Sequence, residues 1–391
     1  MFAAISHRAL HALKLALAVS LTTLLFRAGL EAIVEARNHF TPTVILALLA
    51  AWPLLEILRR ASPTSSWWDG VRHLTDPWLG HLAGASIGRE GVGLKIGEWL
   101  AHRFSMPSSA TPNLAPADDL KRMDLHALCW AAGFTAIFHT PWAAIVWVIS
   151  ELLPKSQSMR QLLRPTLWAM FGSLTAWLLA EAFGFHLHVW NLGSSHTWQI
   201  RGAGQLLWHL SWLVPLMVLA SLAYCLAKNF FARRVQSKFA IRSTWAIAAI
   251  IVAIWLNQGG SSGVMSLGLE LFPTPYLDNA AWSGVALKLL LTAMFVGRGL
   301  RGGEVTPLLM CGAALGGAIA GPTGASLGFA ALWGTVSQRG WVAMILAWEI
   351  LGLSAWSMLT VLAGVFLSAT ILNAICKSST QMQCNSRSRH W

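Results

Sequence analysis

The chain has 391 residues, of which 55% are hydrophobic and 11% charged, and it carries a formal net charge of +12. So few charges exclude an ordinary soluble domain and leave a protein that crosses the membrane several times. A nucleic-acid face is excluded too, because the Lys and Arg residues gather in short loops between apolar runs instead of lining one element.

Apolar runs near 9–34, 42–58, 126–150, 166–184, 205–227, 240–256, 280–296, 305–333 and 341–376 approach or exceed the ~20 residues that span a bilayer. The first, with Arg8 and Lys14 near its start, has the look of a secretory signal. No small-residue cleavage site follows it, and Arg27 interrupts it, so it reads as a retained first helix. The stretch 78–100 is broken by glycine and charge and predicts half-helices. Some of the runs are long enough to hold two elements. Polar interruptions at 102–124 and 184–204 read as loops.

The loop cations form sets: Arg59, Arg60 and Arg72; Lys155, Arg160 and Arg164; Lys228, Arg233, Arg234, Lys238 and Arg242; Lys377, Arg387 and Arg389. These loops are expected on the cytoplasmic side, and 257–284, without Lys or Arg, on the other. Twenty-two Trp residues suit interfacial belts. Cys129, Cys225, Cys311, Cys376 and Cys384 show no C-x-x-C spacing and read as small hydrophobes.

The two halves of the chain resemble each other. "GREGVGLKIGEWLA" (88–101) pairs with "GGEVTPLLMCGAALGGAIA" (302–320), each a glycine-flanked glutamate opening a small-residue helix. "AAGFTAIFHTPWAAIVWVISE" (131–151) pairs with "LGFAALWGTVSQRGWVAMILAWE" (327–349), in the same order. Duplicated halves with helices interrupted at matching positions point to a binding site at mid-membrane.

The chemistry of such a turn is that of an anion site. A helix start concentrates backbone N–H donors at the positive end of its dipole, and glycine lets an ion approach the backbone. An ionisable residue inside a membrane is costly, so Glu90 and Glu304 are functional candidates. A glutamate at a helix start can fill the anion site when ionised and leave it when protonated, which would couple anion and proton movement. The bland alternative for the first turn is a structural Arg89–Glu90 pair. In the second turn Thr306 adds a hydroxyl, and Pro307 suits a first helical turn.

These motifs carry a family resemblance. "GASIGREGVGLKIG" resembles the G-x-x-x-G-R-E-G motif of the CLC chloride channels and anion/proton antiporters, whose glutamate is the external gate. "GFTAIFHTPWAAIVWVISE" is similar to the next helix pair of that family, and aligned without a gap it sets Glu151 on the inner proton glutamate of the chloride/proton antiporters. "KLLLTAMFVGRGLRGGEVTPLLMCGAALGG" (288–317) resembles the third motif in the form typical of the fluoride/proton branch.

The resemblance implies an all-α polytopic membrane fold with two inverted-topology repeats and broken helices, a bacterial inner-membrane location, and a homodimer with one pathway per subunit. It implies transport of a small inorganic anion, fluoride or chloride, with protons, and neither enzymatic activity, a cofactor nor a nucleic-acid partner. Glu90 would be the external gate and proton carrier, with Glu304 and Glu151 as candidate inner proton sites. Gly88, Arg89, Gly91, Gly303, Val305 and Thr306 would surround the anion. A single domain is expected over 1–376, with repeats near 42–184 and 240–376 and a basic cytoplasmic tail at 377–391. The alternatives are a chloride or nitrate channel or chloride/proton exchanger of the same family, and a relative that kept the fold without transport. Two departures stand out. The first family motif is reduced to Trp52-Pro53 within "LLAAWPLLEIL", and the tyrosine of the last helix is missing, the only tyrosines being Tyr224 and Tyr276.

Three further signals are weaker. "GGSSG" (259–263) matches G-x-S-x-G, the mark of a serine hydrolase, but the chain has no His between His209 and His390 to serve as a downstream base. "FHLHVW" (185–190) with His196 has metal-type spacing without nearby Cys, Asp or Glu. His139, beside Thr140-Pro141, either lines a cavity or packs with hydrogen bonds.

Overall fold

The computed structural model describes residues 2–39, 66–105, 116–155, 159–185, 202–232, 247–255, 279–299 and 302–378, with isolated positions between them. Among these residues the secondary structure is helical. The elements are α1 (Phe2–Asn38), α2 (Ser66–Leu82), α3 (Glu90–Ser105), α4 (Pro116–Phe138), α5 (Pro141–Leu152), α6 (Met159–Ala182), α7 (Ala203–Ala232), α8 (Asn279–Gly297), α9 (Val305–Ser337), α10 (Gly340–Leu351) and α11 (Ala355–Ser378). Residues 247–255 add a further helical segment.

Several apolar runs are broken where the sequence changes character. The run 78–100 separates into the end of α2, a buried extended stretch and α3. The run 126–150 breaks at His139, which takes the left-handed φ of 59°. Pro141 then restarts the chain as the first residue of α5, where its missing N–H does no harm. Within α9, Ala320 (φ −135°) and Gly321 (φ 58°) leave helical geometry ahead of Pro322. The part before this break is about 22 Å long at 1.5 Å per residue, short of the ~30 Å hydrocarbon core. Among the described residues, four helical stretches are long and apolar enough to cross a membrane by length and composition: Ala9–Ala36, Ala203–Ala232, Ala355–Cys376 and Val305–Ser337, the last of which is divided by the break at Gly321.

The contacts divide the chain into two compact units, Met1–Ala28 with Glu90–Val189, and Gly29–Arg89 with Trp190–Trp391. In the first unit α4 packs on α3, α5 and α6. Glycine permits the α3–α4 crossing, since a Cβ on Gly93 would sit 2.8 Å from the Gly133 carbonyl oxygen. Arg27, which interrupts the first apolar run, does not end α1. It is buried, with its guanidinium 5.4 Å from the centre of the Phe185 ring.

In the second unit α7, α9, α10 and α11 pack together, and α8 packs on α7 and α9. The small-residue spacings Gly312-x-x-x-Gly316 and Gly317-x-x-x-Gly321 suit close packing, either at an outer seam or in an internal contact. They form an internal one: after the break at Gly321, the second half of α9 folds back so that Gly312 meets Gly328 and Gly316 meets Gly324 backbone to backbone. Such approach favours small residues in apolar surroundings, where close packing replaces the hydrophobic drive. Cys129, Cys225 and Cys311 are buried free thiols. Cys376, read from the sequence as a buried hydrophobe, is instead disulfide-bonded.

Candidate functional site

The second unit holds the turn before α9. Gly88 and Gly303 form an antiparallel bridge, Gly88 N–H donating to Gly303 O at 2.5 Å and Gly303 N–H to Gly88 O at 2.8 Å. The glycines of the two related motifs thus meet. The stretch leading to Gly88 is buried: Ala83, Ala85 and Ile87 pack with Leu291, Met294 and Phe295 of α8, and Ser86 Oγ lies 2.7 Å from Thr292 Oγ1. A Cβ on Gly302 would sit 2.8 Å from Ile87 Cβ, so this position needs a residue without a side chain.

Glu304 directly precedes α9 and is 3% exposed. Its carboxylate does not cap its own helix. Instead Oε2 accepts a hydrogen bond from Tyr224 Oη at 2.5 Å and another from Lys228 Nζ at 2.6 Å. Both donors lie on α7, four residues apart and therefore on one helix face. Val305, Thr306 and Pro307 open α9 and are buried.

Arg89 is mostly buried, and its Nη1 pairs with Glu31 Oε1 of α1 at 3.5 Å. This contact gives the arginine a partner other than the adjacent Glu90. In the first unit, Glu90 is the first residue of α3 and 1% exposed, and Gly91 behind it is buried. Glu151 sits near the C-terminal end of α5 and is half-buried. The structure thus seats both motif glutamates at buried helix starts, as the spacing predicts.

Three buried or part-buried residues of the elements around the turn were not singled out from the sequence. Lys228 was grouped with loop cations because it follows an apolar run, yet it lies inside α7 with its side chain only 22% exposed. Its i, i+4 spacing from Tyr224 was the legible signal. Lys288 of α8 is fully buried, and its position within an apolar helix was the only sign of that. Ser86 could not be found by any pattern.

The described residues hold no group of three or more metal-ligating side chains. His186, His188 and His196, the 259–263 "GGSSG" stretch and Trp52-Pro53 lie outside the described residues.

A family model described as "Voltage gated chloride channel" matches residues 50–373. The chain belongs to this family. The CLC family is one of channels and transporters, not enzymes. A "Chloride/fluoride channel protein" of Pseudomonas syringae pv. tomato is 27% identical over 306 residues, which are 70% of this chain and 60% of the relative. The chain therefore spans less than two thirds of that relative's length.

Among solved structures, a CLC-type fluoride/proton antiporter is similar with a TM-score of 0.69 at 20% identity, over 95% of this chain and 97% of that one. A slow cyanobacterial Cl−/H+ antiporter reaches 0.73 at 15% identity, over 94% of each chain. At such identities the likeness establishes the fold: an all-α, multi-pass CLC-type membrane fold with broken helices, as the resemblance of the motifs implies.

Proposed function

We propose that this CLC-family chain moves small inorganic anions across a bacterial inner membrane, by fluoride/proton antiport that exports fluoride. The observation that carries the reading is Glu304: an ionisable side chain retained at the buried glycine turn before α9, with a phenol and an ammonium on one of its oxygens. Fluoride is small and strongly hydrated, so a site for it must replace lost water with close, directed donors. A turn that gathers backbone amides and the Thr306 hydroxyl offers such donors, while the Tyr224 phenol spends its one hydrogen on the Glu304 carboxylate.

In this reading Glu90 is the external gate and proton carrier. Gly88, Arg89, Gly91, Gly303, Val305 and Thr306 surround the anion. Glu304 is the favoured inner proton site and Glu151 its rival. Oε2 accepts twice, so a proton on the Glu304 carboxyl would sit on Oε1 and donate from there. The assembly is a homodimer with one pathway per subunit. The domain spans 1–376 with repeats near 42–184 and 240–376, and 377–391 forms a basic cytoplasmic tail.

A second reading, chloride/proton exchange, draws on the Lys228 contact. An ammonium 2.6 Å away compensates the Glu304 charge in place, which lets that side chain serve structure while Glu151 handles protons.

Proteoliposomes loaded in turn with fluoride, chloride and nitrate separate the two. The fluoride reading expects faster fluoride than chloride efflux, and a greater loss of proton coupling in Glu304→Ala than in Glu151→Ala. Equal or faster chloride efflux, or the reverse order of the two variants, selects chloride/proton exchange.

A further inference from the structure

Two breaks in the chain share one local geometry. Among the described residues, His139 (φ 59°) and Gln338 (φ 60°) are the only non-glycine residues with positive φ. Each closes a long helix, His139 N–H donating to Thr135 O at 2.6 Å and Gln338 N–H to Gly334 O. Each stands two positions before a helix of 12 residues, α5 and α10. Glycine is the usual residue at a left-handed helix end, because a Cβ is strained there. A side chain kept at both places has something to do.

Both side chains do the same thing. Gln338 Nε2 donates to Asn373 Oδ1 of α11 at 2.7 Å, so the break is clasped to the helix that follows α10. His139 Nε2 lies 2.9 Å from Glu181 Oε1 of α6, the helix that follows α5. The clasp at Gln338 joins two amides and requires no added proton. The clasp at His139 differs, because its second nitrogen is also committed: Nδ1 lies 2.7 Å from the Phe185 carbonyl oxygen.

A carbonyl oxygen only accepts, so Nδ1 carries a hydrogen. An ionised carboxylate also only accepts. The Nε2–Oε1 contact therefore joins either an imidazolium to a carboxylate or a neutral ring to a protonated carboxyl. Both states hold one proton more than a neutral imidazole beside an ionised carboxylate. The imidazole side chain is 5% exposed and packed edge-on to Trp177, and the carboxylate is 39% exposed, which leaves a route for the proton. Among the described residues, Arg27 of α1 also reaches this cluster, its guanidinium 5.4 Å from the centre of the Phe185 ring.

We propose that His139 and Glu181 form a proton-binding site, a protonatable version of the neutral Gln338–Asn373 clasp, which ties the α4–α5 break to α6 when the proton is bound and releases it when the proton leaves. The site is separate from the glycine turns and stands whether the transported anion is fluoride or chloride.

The test uses the full chain in detergent micelles with 15N-labelled histidine, the His139 signals being identified by their loss in His139→Gln. The expected spectrum has Nδ1 protonated throughout, unlike the Nε2–H form that free imidazole favours, and a pH-dependent change at Nε2. In Glu181→Gln the amide can donate to Nε2 without a titrating proton, so that change should no longer coincide with the parent's.

His139→Gln combined with Glu181→Asn installs the neutral clasp and gives a second readout. Raising the pH should then lower the melting temperature of the parent relative to this double variant. A His139 ring with Nδ1 unprotonated, or a transition at the same pH in Glu181→Gln and the parent, overturns the proposal. Should the double variant fail to fold, the Glu181→Gln spectrum alone decides.

Discussion

Lys228 Nζ lies 2.6 Å from Glu304 Oε2, so a cation that follows an apolar run in the sequence closes an ion pair with the buried glutamate of the α9 turn. Removing one partner of such a pair leaves the other charge stranded. Lys228→Met should therefore destabilise the fold by about 1–3 kcal/mol, less than a fully buried pair because the lysine keeps some exposure. Lys228→Arg should recover most of it. Melting in micelles measures both, and a Lys228→Met variant as stable as the parent would show that the pair adds nothing.

Glu90→Gln should uncouple anion movement from protons, since a neutral amide neither competes as an anion nor carries a proton. Anion flux and proton flux are measured together in proteoliposomes. Proton pumping driven by an anion gradient, if it persists in the variant, removes Glu90 from the gate.

Thr306→Val preserves shape and deletes one hydroxyl at the buried start of α9. An anion short of one donor should lose about 1–3 kcal/mol of affinity. Isothermal titration with fluoride and with chloride reads this directly, and unchanged affinities for both would put Thr306 outside the pathway.

Gly316→Leu sets a large side chain where Gly316 meets the Gly324 backbone. Overpacking at an apolar contact costs about 1–3 kcal/mol or more. The α9 hairpin should open, lowering the melting temperature and slowing transport together. Full stability in this variant would mean that the two halves of α9 are not held by close approach.

Much of the site was legible before any coordinates. Glu90, flanked by Gly88-Arg89 and Gly91, and Glu304, after Gly302-Gly303, each open a small-residue helix, and both sit buried at helix starts. Whereas the breaks at His139 and Gly321 lie inside runs that read as continuous, the break within 78–100 was also written locally, in the charge and glycine at 84–91. Such signals are readable because glycine acts on its own backbone.

The partners of those side chains were not legible. Tyr224 and Lys228 reach Glu304 across 80 and 76 positions of sequence, and Ser86 meets Thr292 across 206. Lys228 was misread because a lysine ending an apolar run carries the same local pattern whether it points to water or to a carboxylate.

By itself the sequence determined that this chain is a multi-pass helical membrane protein, that the stretch 78–100 is broken, and which glutamates stand at glycine turns. These follow from composition, hydropathy and backbone chemistry, all properties of short stretches. Only the tertiary structure decided which donors hold the Glu304 carboxylate, that Gly312 and Gly316 pack within one chain, and that His139 is clasped to Glu181. Those pairings depend on how helices far apart in sequence are brought together, and a side chain can reach any partner the packing presents within about 3 Å.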